Sequence, residues 1–283
     1  MGERQIVLVT NCEDDTGFST ALKFAQDKEK RYKVWAAVTD KNYFHILQKG
    51  VENLVDDTLF IIEMAMEMKS IEESVKDILQ KDGHIDILVI NSLKLGAFGL
   101  FEEQPFDCIY PIFETNVFGP CRLLQLLIPG MKRRQMGRIL IVSSSTELEG
   151  GPFTEYYSSS ISALEHICLP LSIVVRKNNV LLSVIQSSAL ASPAVEWIVQ
   201  FSRDFTPASH TDPKLTEMMK NRLDYIKGRG TGSNATTIDT VSTLLKMVAE
   251  DPSPCLMYSE SEHVEKLAEN IFVDYKVKLE DLA

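Results

Sequence analysis

Positive charge is what this sequence most lacks. Its 29 lysines and arginines face 40 aspartates and glutamates, a formal net charge of −11. Nucleic acids and anionic membranes recruit proteins through basic surface, so neither is an expected partner. The one basic cluster, MKRRQMGR (131–138), reads as a solvated helix end just before a strand. Cysteine is sparse and scattered: Cys12, Cys108, Cys121, Cys168 and Cys255 form no CxxC pair, which argues against a disulfide framework and against a zinc site. No apolar run reaches the roughly 18 residues that a membrane span needs. The start, MGERQIVLVT, runs directly into a strand with no leader pattern and no sixth-position Ser or Thr for myristoylation. These absences lead to the expectation of a soluble, cytoplasmic protein without a metal centre.

What the chain does have is alternation. Short apolar runs rich in β-branched residues recur at QIVLVT (5–10), YKVWAAVT (32–39), TLFIIEM (58–64), IDILVINS (85–92), RILIVSSS (138–145) and VLLSVIQSS (180–188). Continuous apolar strands suit a parallel sheet covered on both faces. Between them lie amphipathic stretches such as SIEESVKDILQKDG (70–83), with helical spacing and charges on the outer face. The expectation is therefore an α/β fold, a Rossmann-like doubly wound parallel sheet in a single domain over 1–283. Ligands of such sheets bind at the carboxyl ends of the strands.

From 189 to 232 the pattern turns irregular, with Pro193, Pro207 and Pro213 and with Trp197, Phe201 and Phe205 at i, i+4 spacing. This segment reads as a helical flap over the crevice, and KGRGTGSN (227–234) within and beyond it as a turn.

The order DILVIN, then TNVFGPCRLLQLLIPGMKRR, then GRILIVSSS, then a tyrosine thirteen residues after Ser144, resembles the short-chain dehydrogenase/reductases. The likeness is to the branch of the 17β-hydroxysteroid dehydrogenase type 1 and photoreceptor retinol dehydrogenases. The resemblance implies hydride transfer between a nicotinamide cofactor and an alcohol or ketone, by an Asn, Ser, Tyr and Lys set. Asn116 matches the asparagine, Ser144 the serine and Tyr157 the general acid/base. The lysine position holds Ile161, and no Lys or Arg occurs between Arg138 and Arg176. A phenol titrates near 10 unless a cation favours its ionised form, and isoleucine supplies none. His166, nine residues after Tyr157, lies off its face and reads as a partly exposed helix histidine.

The cofactor segments also depart from the family's pattern. Its TGxxxGxG turn reads Thr10, Asn11, Cys12, Glu13, Asp14, Asp15, Thr16 and Gly17 here. Asn11 and Asp15 replace glycines, and three carboxylates stand where a pyrophosphate is expected to meet a helix N-terminus. Thr39 and Asp40 take the place of the arginine that receives a 2′-phosphate, and Met64 falls near the adenine-binding aspartate. Asn91 of the family's NNAG motif remains, with Leu93 in place of its glycine. Ser192 is the nearest match to the threonine that holds the carboxamide.

The leading expectation from these departures is a degenerate member that has lost nicotinamide-dependent chemistry, uses no cofactor, and binds a hydrophobic small molecule or a protein partner. A first alternative is an atypical NAD- or NADP-dependent oxidoreductase on a steroid-, retinoid- or lipid-like alcohol or ketone. A second is a cofactor-independent enzyme using Tyr157 and Ser144. Pro170, inside the helix that dimerises family members, is expected to kink it and so puts the usual homodimer in doubt.

Overall fold

The computed structural model describes residues 3–40, 42–49, 51–91, 98–144, 152–187, 212–232 and 235–259. Its strands are β1 (Gln5–Val9), β2 (Tyr32–Val38), β3 (Leu59–Glu63), β4 (Ile87–Ile90), β5 (Gly137–Ser144), β6 (Val180–Ser187) and β7 (Met257–Ser259). The helices are α1 (Asp15–Ala25), α2 (Tyr43–Gln48), α3 (Met68–Asp82), α4 (Phe106–Phe113), α5 (Gly119–Arg134), α6 (Glu155–Arg176), α7 (Pro213–Gly232) and α8 (Ala235–Glu250). All seven strands are parallel, in the order β3-β2-β1-β4-β5-β6-β7. The order reverses direction at β1, so the carboxyl ends of β1 and β4 flank the crevice of a doubly wound sheet.

Both faces of this sheet are covered, which is why its strands are apolar throughout. Ile6, Leu8, Leu88, Ile90, Ile139 and Ile141 pack with Ile71 of α3, Leu123 and Leu127 of α5, and Leu164 and Cys168 of α6. Val7, Val9, Val34, Val89, Leu140 and Val142 face the other way, onto Ala21 and Phe24 of α1 and Val241 and Leu245 of α8. Alternation along each strand assigns the two sets, and each large side chain so buried contributes about 1.5–3 kcal/mol.

Local signals set the helix ends. Asp14 caps α1 by accepting from the Gly17 N–H, and α3 stops at Gly83, whose φ of 78° is a conformation glycine adopts without strain. The buried face of α3 carries Ile71, Ser74, Val75 and Ile78, the spacing that its sequence displays.

Three features differ from expectation. A seventh strand, β7, pairs with β6 through only three residues, too few to stand out as an apolar run. The stretch expected as a turn from 227 continues as helix α7 to Gly232, since isolated glycines such as Gly228 and Gly230 lower helix propensity without ending a helix already under way. The rest of the expected flap, 189–211, lies outside the described residues. Helix α6 continues past Pro170, which is exposed, so the proline does not end the helix.

Among the described residues α6 is also the one helix long and apolar enough to cross a membrane. Here it packs against β5, β6 and α5.

Candidate active-site crevice

The crevice begins where β1 and β4 are tied together. The Thr10 N–H donates to the Val89 carbonyl at 3.0 Å, while its Oγ1 accepts from the Asn91 N–H at 2.9 Å. Asn11 then turns the chain with φ 52°, the left-handed region that asparagine tolerates better than most non-glycine residues. Asn11 thus adopts at this position a conformation that glycine would also permit. Gly17 is held by packing: a Cβ there would lie 2.3 Å from the Asn11 carbonyl oxygen and 2.7 Å from Asn91 Nδ2.

The three carboxylates of the turn do not converge on one phosphate position, contrary to the sequence-based expectation. Asp14 turns inward and is buried. Its Oδ1 accepts from the Gly17 N–H at 2.7 Å, its Oδ2 from Asn11 Nδ2 at 2.8 Å, and both oxygens from Asn91 Nδ2. Burial pushes its carboxyl up to about 7, against the hydrogen bonds from Gly17 and Asn91 and with help from the nearby Glu13 and Asp15 charges. Glu13 turns sideways to the end of β2, where its Oε1 accepts from the Thr39 N–H at 3.1 Å and from Thr39 Oγ1 at 2.6 Å. Only Asp15 stays exposed, in the first turn of α1 where the helix dipole favours it. The physical reason for the difference is that Asp14 and Glu13 each found donors of the protein itself, from Gly17, Asn11 and Asn91 for the one and from Thr39 for the other.

Met64, beyond β3, is buried and its N–H donates to the Val38 carbonyl. Ser192 and Leu93 lie outside the described residues.

The catalytic matches come from three elements. Ser144 is the last residue of β5, in register with Ser187 at the end of β6. Tyr157 sits in the first turn of α6, and both it and Ser144 are almost wholly buried. Asn116 lies in a π-helical turn, Glu114–Phe118, that joins α4 to α5. Such a turn widens the helix, a feature common at functional sites. Asn116 Nδ2 donates to Ser160 Oγ at 2.9 Å, and Ser160 Oγ donates to the Tyr157 carbonyl at 2.7 Å. Ser160 thus links Asn116 to the turn bearing Tyr157. Ile161, next in the chain, is 2% exposed and fills the lysine position with a buried alkyl group.

One buried polar cluster escaped the sequence reading. Ser143 Oγ donates to Glu165 Oε1 at 2.5 Å, and Gln186 Nε2 reaches the same oxygen at 3.3 Å. Burial raises the Glu165 carboxyl, with both hydrogen bonds opposing. The available signal was its spacing, eight residues after Tyr157 and hence near the same helix face. His166 is exposed, with Nδ1 at 2.8 Å from the Ser162 carbonyl, and does not join the cluster. Among the described residues no group of three or more His, Cys, Asp or Glu is placed to hold a metal.

A parallel sheet with a switch point at β1 and β4, a tight turn into α1, and a serine and tyrosine beside the crevice define the class: doubly wound α/β proteins of the dinucleotide-binding type. The short chain dehydrogenase family model matches residues 5–201, and the chain belongs to that family. It is 28% identical to mouse 17-beta-hydroxysteroid dehydrogenase type 1 over 93% of this chain and 75% of the relative. With human retinol dehydrogenase 8 it shares 32% identity over 64% of this chain, and it spans only 57% of that relative's length. Among solved structures, a short-chain dehydrogenase from Streptomyces avermitilis superposes with TM-score 0.77 at 18% identity, covering 99% of this chain and 97% of the other. An NAD+-bound xylitol dehydrogenase superposes with TM-score 0.70 at 16% identity, covering 92% of this chain and 98% of the other.

The expectation that the chain uses no cofactor is corrected by these comparisons. The fold is shared with proteins solved with NAD, as above, or with NADP, as in a metagenomic short-chain oxidoreductase at TM-score 0.68. The geometry removes the premise behind that expectation, because Asp14 and Glu13 are engaged by the protein's own donors.

Proposed function

We propose that this protein is an NAD(H)-dependent oxidoreductase acting on the alcohol or ketone of a hydrophobic, steroid- or retinoid-like substrate. The observation that carries the reading is a pair of buried acceptors in the crevice that have no donor among the described residues: Glu13 Oε2 and Asn91 Oδ1. A buried acceptor left unpaired costs about 1–3 kcal/mol, so each calls for a donor from a ligand. Ribose hydroxyls are such donors, and Glu13 at the end of β2 suits a ribose 2′-hydroxyl. A 2′-phosphate there would meet the Glu13 carboxylate, which disfavours NADP. The names of the relatives, a steroid and a retinol dehydrogenase, support the substrate class.

A nicotinamide held in the crevice would supply or accept the hydride. Tyr157 holds the proton for the substrate oxygen, and Ser144 orients that oxygen by hydrogen bonding. Asn116 and Ser160 hold the first turn of α6 so that the phenol keeps its place. Ile161 contributes no cation, so Tyr157 serves better as proton donor than as proton acceptor near neutral pH, and carbonyl reduction is the favoured direction.

Belonging to the same proposal is a homodimer through the face of α5 and α6. A groove of about 550 Å³ there is lined by Leu124, Ile128, Ile167, Pro170, Leu171 and Val174, and the unbroken α6 keeps this face intact.

The test is calorimetric titration of NAD(H) and NADP(H), followed by NADH-dependent reduction of steroid ketones and retinal with wild type and Tyr157→Phe. Binding of NADH tighter than about 100 μM, with activity abolished in Tyr157→Phe, is the expected result. Absence of binding at millimolar NADH and NADPH would overturn the proposal.

A further inference from the structure

At the opposite end of the sheet, where the strands begin, lies a cavity of about 330 Å³. Its walls include Gln5, Tyr32, Asp86, Arg138, Asn179 and Glu250, drawn from both halves of the sheet and from the end of α8. No step of the proposed chemistry uses it. Arg138, the second residue of β5, and Ser144, the last, are six residues apart, so the cavity is roughly 20 Å from the crevice.

Arg138 is the group in this cavity whose needs are unmet. Its half-buried guanidinium makes a single hydrogen bond among the described residues, Nη2 to the Asp251 carbonyl at 3.3 Å. It has no ion-pair partner there. Burial pushes Arg138 below the ordinary arginine range, opposed only by the Asp251 charge. A cation withdrawn from water without a carboxylate is costly, and a planar guanidinium fork matches an oxyanion in two hydrogen bonds.

The neighbouring charges of Arg31 and Glu250 are already matched. Arg31 donates to Asp27 Oδ1 at 2.6 Å and to Glu250 Oε1 at 3.2 Å, and Tyr32 Oη donates to the same Glu250 oxygen at 2.8 Å. Asp86 Oδ2 takes the Ile6 N–H at 2.9 Å and lies 3.1 Å from His84 Nε2. Asp86 Oδ1, buried, has no hydrogen-bond partner, although Arg134 Nη2 stands 3.9 Å away. Among the described residues Arg138 is thus the cation of this cavity without an ion pair; Asp86 Oδ1 is the one carboxylate oxygen that opposes an anion there, with Arg134 standing toward it, and the cavity's size is that of a small metabolite.

We infer that this basal cavity binds a small oxyanion, carboxylate or phosphate, with Arg138 receiving the anionic group. The inference is independent of the cofactor and of the reaction in the crevice. An occupant stabilises the starts of β1, β4 and β5 together, so its effect is on the fold's stability.

The test titrates inorganic phosphate and, separately, succinate into the full chain by calorimetry at constant ionic strength, with thermal unfolding as a second readout. Saturable binding of at least one probe and a raised Tm are expected. Arg138→Gln should weaken that binding by about tenfold or more, while Arg133→Gln, at the exposed end of α5, leaves it unchanged. Met136→Trp keeps Arg138 but fills the cavity from its half-exposed wall, and should also abolish binding even if Arg138→Gln fails to fold. The relative affinity of the two probes then distinguishes a phosphate site from a carboxylate site. No saturable binding of either probe overturns the inference. So does binding indifferent to both variants, which would assign the anion to another site such as the N-terminus of α1.

Discussion

Asn91 Nδ2 donates to both carboxylate oxygens of Asp14, at 2.9 and 3.0 Å, and so fastens the end of β4 to the N-terminus of α1. The carboxylate is also the cap of α1 and the acceptor for Asn11. One buried acid therefore organises three segments of the crevice.

Asp14 makes stability depend on pH. Its folded-state carboxyl is raised to about 7 by burial, above the unfolded value, so the native state binds the proton more tightly. The stabilisation is fully present below about pH 4 and is lost as pH rises toward 7, at up to roughly 1.4 kcal/mol per unit. Urea unfolding of Asp14→Asn across this window should show a flatter profile than wild type; parallel profiles would mean that Asp14 is ionised throughout.

Under the proposed function, Glu13 is the residue that discriminates between the two dinucleotides. Replacing it with arginine removes the acceptor for Thr39 and places a cation beside the ribose position. Glu13→Arg should shift the ratio of NADPH to NADH affinity by about tenfold or more toward NADPH. Titration of both cofactors measures the ratio, and an unchanged value would separate Glu13 from cofactor choice.

Ile161→Lys restores a cation beside the first turns of α6. Because the position is 2% exposed, the variant should unfold at lower temperature. Alcohol oxidation at pH 7 should nevertheless rise by about tenfold or more, since general-base work needs an ionisable phenol. Initial rates of oxidation and reduction, compared with NAD binding, decide it: unaltered oxidation with intact binding would sink this assignment of position 161.

Gly17→Ala tests whether the turn is held by packing. The added Cβ would lie 2.3 Å from the Asn11 carbonyl oxygen, a backbone atom fixed by the turn. A loss of about 1–3 kcal/mol in unfolding free energy is expected, together with weaker nucleotide binding. An unaffected unfolding midpoint would show that Asn11 can move aside.

Much of the fold is legible in the residues, for a local reason. Five of the six apolar runs are largely buried on both faces, with β3 partly exposed, and a run of β-branched residues covered on both faces has few other stable placements. β7 was invisible because its three paired residues acquire strand structure only beside β6. The end of α7 was misread because Gly228, Gly230 and Gly232 look like turn residues, while a helix once begun tolerates them.

The site divides the same way. Thr10, Asn11, Gly17, Asn91, Ser144 and Tyr157, singled out by spacing and resemblance, lie at strand ends, in the turn after β1 or in first helical turns, positions that a linear pattern can mark, and Asn116 lies in the π-helical turn before α5. Thr39 was placed correctly at the end of β2, but that it would receive Glu13 was not readable. The direction in which a carboxylate turns depends on donors that only folding brings close.

By itself, the sequence determined the doubly wound parallel sheet, the family and the absence of a lysine at position 161, since these rest on residue type and order along the chain. Tertiary structure alone decided that Asp14 binds Asn91, 77 residues away, that Glu13 turns to Thr39, and that Arg138 finds no ion pair among the described residues. Those outcomes are set by which donors and charges the packed strands bring within 3 Å or so of one another, a competition that no local pattern encodes.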